Sequence, residues 1–299
     1  RALTTANVVA LGSANTAALT TTQIAALSTS QSAALSTAEV AGLTSAQIVA
    51  LSTAHAQALT SNQLGSLGTA QVVALETADL AALNTNAFQA LSTASVGALS
   101  TGQIVALTSA EFAAFTSVQV AGLTTAQMQA IETTDLRAFA TASLAALSTS
   151  NLDALTSTQW VSLSTQQVLA LTTAQIAALA TVDVDALSTA QIRALSTQQI
   201  AALTTDQFSH LSSQDIAALS TTQAAALSTQ EIAALTSDQV VAFSVAHIQA
   251  LTMTQISAFT TDATTHMSGA QLDALIGGTP IVLDMGHQGI STSSAQQGV

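Results

Sequence analysis

The chain has 299 residues, 49% of them apolar and only 6% charged, with three Arg, no Lys and a formal net charge of −13. So small a basic complement excludes the phosphate neutralisation that nucleic acid needs, and equally adhesion to an anionic membrane surface. The absence of Cys excludes disulfides, thiol catalysis and thiolate zinc sites.

No run approaches the roughly 18 apolar residues of a transmembrane helix, because Ser or Thr interrupts every stretch. The start has no signal-peptide pattern. It begins at Arg1-Ala2-Leu3, already inside a repeat and without Met, so a longer parent polypeptide is expected.

From Leu3 to Leu275 a large apolar residue returns every eight positions through thirty-four octads without an insertion or deletion. The rare substitutions are Phe115, Ile131, Phe139, Phe243, Phe259 and Met267. An unbroken period of this length predicts one small unit stacked on copies of itself, not a domain built round a unique pocket.

The octad Leu19-Thr20-Thr21-Thr22-Gln23-Ile24-Ala25-Ala26 shows the grammar. Thr20 and Gln23 have the spacing of a capping box, and Leu19 with Ile24 that of a hydrophobic staple. Ile24 and Leu27 then share a helical face. The pattern recurs at Ser188/Gln191, Ser196/Gln199 and Ser228/Glu231. One continuous α-helix fails, because eight residues are about 2.2 turns and the Leu row would wind round the axis. A strand fails on parity, because the two large positions alternate five and three apart and would face opposite sides.

The predicted fold is therefore all-α, a solenoid of capped helices of six or seven residues, one per octad. Each helix is too short to persist alone and is stabilised by stacking. The alternative is a β-solenoid, favoured by the abundant Thr and Val.

Exceptions to the grammar follow in chain order. Gly12, Gly68, Glu76, Asn84, Glu132, Ala140 and Ala180 replace the Ser/Thr cap, and the two alanines lose a cap outright. Thr16, Ser32, Ala56, Ala224 and Thr264 replace the inner apolar residue, which predicts shallow packing there. Trp160 takes that same position and is expected either as a core filler or as a contact to an adjacent chain.

The octad region is assigned to residues 1–276, followed by a boundary turn and strand-rich start over 277–299. Gly277-Gly278-Thr279-Pro280 marks the break and holds the only Pro. The run Pro280-Ile281-Val282-Leu283-Asp284-Met285-Gly286-His287-Gln288-Gly289-Ile290 resembles a P-I-V-L-D-L-D-G-D-G-I segment of secreted bacterial RTX-type (repeats-in-toxin) proteins and adhesins. That resemblance implies type I secretion and calcium-binding acidic loops in a longer parent chain. Gly286 and Gln288 stand at the family's acidic positions, and Asp284 alone falls short of the six or seven oxygens calcium takes. No cofactor is expected in this segment. The run from Leu67 to Leu75 is also similar to the L-T-x-x-Q-V-V-A-I opening of TAL-effector (transcription activator-like) repeats. Their period of about 34 residues and their basic residues are missing, so DNA reading is rejected.

No catalytic, cofactor or metal site emerges, and no enzyme is expected. Of the five His (His55, His210, His247, His266, His287), none has another at i+3 or i+4. His55 and His247 take the position of the capping Gln. Glu39, Asp79, Glu111, Asp135, Asp183, Asp215 and Glu231 also fall there, where a carboxylate suits the positive end of a helix. Asp183 and Asp185 fall on different sides of theirs.

The expected role is structural: an extracellular, self-assembling filament, sheath or surface-layer component whose main partner is itself, with cell-surface or glycan contacts. The alternatives are a monomeric adhesin stalk and a ligand-binding scaffold with contacts near Trp160, Arg137 or Arg193.

Overall fold

A computed structural model of the chain describes residues 4–277. Among them thirty-four helices follow one another, one per octad, from α1 (Thr5–Val9) to α34 (Gly269–Gly277), with no strand. The all-α solenoid is the fold, and the β-solenoid alternative is overturned. The strand and turn expected in the C-terminal tail, with His287, lie outside the described residues.

The helices are four to six residues long up to α33 (Thr261–His266), shorter than the six or seven expected. The reason lies in the last turn. Leu27 N–H bonds back only to Ile24 O, an i to i−3 bond that tightens the end of α3 (Thr21–Ala25). The chain then turns into an extended cap, as at Thr20 with φ −72 and ψ 158. There the predicted capping box forms. Gln23 N–H donates to Thr20 Oγ1 (3.3 Å), and Thr20 N–H donates to Gln23 Oε1 (2.8 Å).

Numbering each octad from its cap, positions 5 and 8 form the core. Ile24, Ile48 and Ile104 are fully buried at position 5, while Leu51, Leu75 and Leu107 are buried at position 8. Burying each such side chain contributes about 1.5–3 kcal/mol, which supplies what helices of this length lack alone.

The chain divides into two compact units, Arg1–Ala170 and Leu171–Val299. Within the first, α2 (Gly12–Ala17) packs on α5 (Thr37–Ala41), and α6 (Ser45–Val49) on α9 (Thr69–Ala74). Within the second, α24 (Thr189–Ala194) packs on α27 (Ser213–Ala218), and α27 on α30 (Ser237–Ala242). Every one of these pairs is three octads apart. Side-chain bonds described below reach four octads back, so in each unit the superhelical turn closes between three and four octads.

One further sequence expectation needs correction. The shallow packing expected at Thr16, Ser32, Ala56 and Ala224 is not found, since all four are fully buried. Thr16 Oγ1 satisfies itself on Gly12 O (3.0 Å). Trp160 is fully buried, which makes it core and not a contact to an adjacent chain. Around position 8 in the first unit, Phe115 packs edge-on against Phe88 and Phe139, with centroids 5.0 and 5.6 Å away.

Candidate functional site

The capping Gln at position 4 does more than cap. Its Oε1 is committed to its own cap N–H, which leaves two amide hydrogens pointing away from the helix. In α6, Gln47 Nε2 donates to Thr16 O (3.2 Å), Ala17 O (3.2 Å) and Leu19 O (2.8 Å). Those are carbonyls at the end of α2, four octads earlier. They are among the acceptors that a helix C-terminus leaves without an intrahelical partner.

The same reach recurs at Gln127, which donates to Val96 O (2.9 Å) and Leu99 O (2.7 Å). It recurs in the second unit at Gln239, on Phe208 O (3.0 Å) and Leu211 O (2.8 Å). Each Gln is buried, so each bond operates away from water. One side chain thus closes the start of its own helix and the end of another.

His55 and His247 reproduce both halves of this arrangement. His55 Nδ1 accepts from Ser52 N–H (3.1 Å), while Nε2 lies 2.7 Å from Leu27 O. His247 does the same with Ser244 N–H (3.2 Å) and Leu219 O (2.8 Å). These partners assign the neutral tautomer with the proton on Nε2. The sequence reading placed both His at the cap and missed the second bond.

Carboxylates at position 4 cannot donate, and the fold treats them in three ways. Glu39 meets a rearranged backbone. Gly12 takes φ +73 and turns its N–H onto Glu39 Oε1 (3.1 Å). Asp79, Asp135 and Asp215 are one methylene shorter and take hydroxyls from three octads back. Those donors are Thr53 (2.8 Å), Ser109 (2.5 Å) and Thr189 (2.7 Å). Glu111 and Glu231 accept at Thr108 N–H (2.7 Å) and Ser228 N–H (2.5 Å), while Oε1 of each is buried with no hydrogen-bond partner. Burial pushes both carboxyls up from the ordinary value of 4.5, and Asp135 adds to the effect at Glu111.

Asp183 is buried and Asp185 exposed, on the different sides expected. His210 and His266 are exposed, each with Nδ1 against the carbonyl four residues earlier, Asp206 O (2.8 Å) and Asp262 O (2.9 Å). That bond to Asp206 O raises the His210 pKa. Among the described residues no three His, Asp or Glu side chains converge to hold a metal ion, and no helix is long and apolar enough to cross a membrane.

The sequence held a signal for the position-4 ladder. A capping box accepts Glu as readily as Gln, yet eighteen octads carry Gln there and three carry Glu. That bias, with His as an occasional substitute, marks a position that must accept and donate at once.

The exterior is built from the remaining positions. Ser and Thr at position 2 are exposed for most of the chain, and some donate to a carbonyl three octads on, as Ser61 does to Asn86 O (3.3 Å). Position 6 carries exposed apolar side chains. Val49 on α6, Val73 on α9 and Val105 on α13 (Thr101–Ala106) are each nearly half exposed. α6 packs on α9, and Gln103 of α13 donates to Val73 O (3.2 Å), so the three occupy neighbouring helices. Arg137 and Arg193 are exposed and lie in different units.

A family model described as the ALTTAQ repeat matches seven stretches: 1–29, 29–61, 45–77, 72–109, 128–165, 176–213 and 208–245. No curated protein matches the chain. Each stretch spans between about three and a half and nearly five octads, long enough to hold one four-octad reach of the position-4 amide. Together these matches cover well over half of the residues, and the chain belongs to the ALTTAQ repeat family.

Proposed function

We propose that the chain is an extracellular structural element that associates with copies of itself into a filament, sheath or surface layer. The observation that carries this reading is the exterior: hydroxyls at position 2 and exposed valines at position 6, with few charges to desolvate. A surface repeated at fixed steps offers the same contact many times, and a heterologous contact that does not close produces a filament. The secreted location and the RTX-type parent rest on the resemblance of residues 280–290.

Sedimentation velocity and electron microscopy of the purified chain test the proposal. Ordered filaments or sheets are expected. A single monomeric species over the whole accessible concentration range overturns self-association and selects the monomeric stalk instead.

A further inference from the structure

Position 4 serves the same acceptor with whatever donor it owns. Asn151 Nδ2 donates to Leu123 O (2.8 Å) and Ser143 Oγ to Phe115 O (3.1 Å), each twenty-eight residues earlier. Among the carboxyls, Glu39, Asp79, Asp135 and Asp215 each receive a donor from another octad. Glu111 and Glu231 have neither arrangement. Among the described residues each accepts only from its own cap, and Oε1 of each is buried with no hydrogen-bond partner.

The register of the ladder places an acceptor opposite each of these oxygens. In the octads on either side of Glu111, Gln103 accepts from Ser100 N–H and donates to Leu75 O (3.0 Å). Gln119 accepts from Thr116 N–H and donates to Leu91 O (3.0 Å). Glu111 takes the Thr108 N–H on Oε2 in the same way, so Oε1 stands where those amides stand and its counterpart is Leu83 O. Around Glu231 the rungs run from Gln223 to Leu195 O (2.8 Å) and from Gln239 to Leu211 O (2.8 Å), which leaves Leu203 O as the counterpart of its Oε1. No group among the described residues donates to Leu83 O or Leu203 O. Two acceptors thus share each place, and one proton between them satisfies both.

We infer that Glu111 and Glu231 fold as neutral carboxyls whose Oε1–H donates to Leu83 O and Leu203 O, so that each compact unit carries one rung that a proton closes. Loss of that proton to solvent leaves a charged oxygen buried against a carbonyl, and the rung opens. Burial, which raises both carboxyls, acts in the same direction. Around α14 (Ser109–Ala114), no titratable group comes from α11 (Thr85–Phe88), α18 (Thr141–Leu144) or the adjoining α13 and α15 (Ser117–Val120). α17 (Thr133–Leu136) brings Asp135, which opposes ionisation of Glu111, with exposed Glu132 and Arg137 at its ends. α10 (Thr77–Leu80), just before Leu83, adds Asp79 and the exposed Glu76. Around α29 (Thr229–Ala233), α25 (Thr197–Ile200), α28 (Thr221–Ala225) and α32 (Met253–Ile256) bring no titratable group. α26 (Thr205–Ser209) brings Asp206 and His210, α30 brings Asp238, and α33 brings Asp262 and His266, all exposed. The rungs are therefore closed below the ordinary carboxyl value of 4.5 and open as pH rises through the raised value. Both lie within one chain, so the inference is independent of self-association.

The test is a ¹³C NMR titration of the full chain labelled at Glu Cδ, with a second sample carrying ¹³C′-Leu and ¹⁵N-Asn. Leu83-Asn84 is the only Leu-Asn pair in the sequence, so the second sample reports the Leu83 carbonyl alone. Glu111 Cδ should titrate above 4.5, the Leu83 carbonyl should move with the same midpoint, and Glu111→Gln should abolish the Leu83 response. Above that midpoint the Phe112 amide should exchange about fivefold faster in the natural chain than in Glu111→Gln. A Leu83 carbonyl that ignores the titration, or one that still responds in Glu111→Gln, overturns the inference. So does a Glu111 carboxyl that ionises at or below the ordinary value. Leu203 C′, read at the Thr204 N–H, gives the same test at Glu231.

Discussion

Gln47 Nε2 lies 2.8 Å from Leu19 O, twenty-eight residues earlier in the chain. That one contact fixes what the octad is. The Gln is a cap for its own helix and a terminator for another, so the two ends of helices too short to stand alone are satisfied by one buried side chain.

Gln127→Leu removes both functions at once. It orphans the Thr124 N–H and the carbonyl of Leu99, and takes from Val96 O one of its two donors, the other being Leu99 N–H. The expected loss is about 2–4 kcal/mol, on roughly 1–3 kcal/mol for each buried group left unpaired. Gln127→His should cost far less, because His55 and His247 already hold both bonds at this position. Native-state hydrogen exchange at the two linked octads is the suitable readout, because a repeat array need not unfold in one step. Equal damage from Leu and His would dismiss the dual role.

Glu111 and Glu231 should make the chain more stable in acid. Their folded pKa values are raised by burial, so the folded chain holds these protons more tightly than the unfolded one. Their contribution is therefore complete below the unfolded value near 4.5 and is lost as pH rises through the raised folded value. The double variant Glu111→Gln/Glu231→Gln replaces each partnerless oxygen with a donor aimed at the octad four places back. It should gain about 1 kcal/mol per site at pH 7 and little at pH 4. Urea midpoints of both chains across that range decide it. A gain independent of pH would count against the carboxyls.

Gly12→Ser restores the usual cap residue yet should destabilise the chain by about 1–2 kcal/mol. A side chain is strained at φ +73, and relaxing the strain withdraws the N–H from Glu39 Oε1. Combining it with Glu39→Gln should recover most of the loss, because Gln can donate to carbonyls where Glu must accept. A double-mutant cycle measures the coupling; simple additivity would break the pairing.

Ala140→Ser and Ala180→Ser should each stabilise by about 1 kcal/mol. Both residues already sit in extended cap geometry and lack only the hydroxyl. Thermal melting of each single variant checks this, and an unchanged midpoint would show that water already satisfies those helix starts.

The octad, the capping box and the alternation of positions 5 and 8 were legible in the sequence because all are local. Ser/Thr and Gln three apart, and Leu beside Ile, identify themselves within one repeat. The destination of the Gln amide was not legible. Its acceptor is a backbone carbonyl, which every residue has, and it lies twenty-eight to thirty-one residues away at a distance set by superhelical winding. Thr16 and Ser32 misled for a related reason: their burial is imposed by neighbouring turns, whatever their own polarity. The pairing of Gly12 with Glu39 spans twenty-seven residues and leaves only a missing cap as its local trace.

The fixed interval between Gln47 and Leu19 also governs how such a chain can change through its lineage. Copying or deleting a whole octad re-forms every amide–carbonyl pair with new neighbours, so length can drift freely by gene duplication. Gaining or losing one codon inside an octad shifts each donor off its acceptor wherever the interval spans the error, damaging four repeats together. An unbroken period through thirty-four octads is what inheritance under that rule leaves behind.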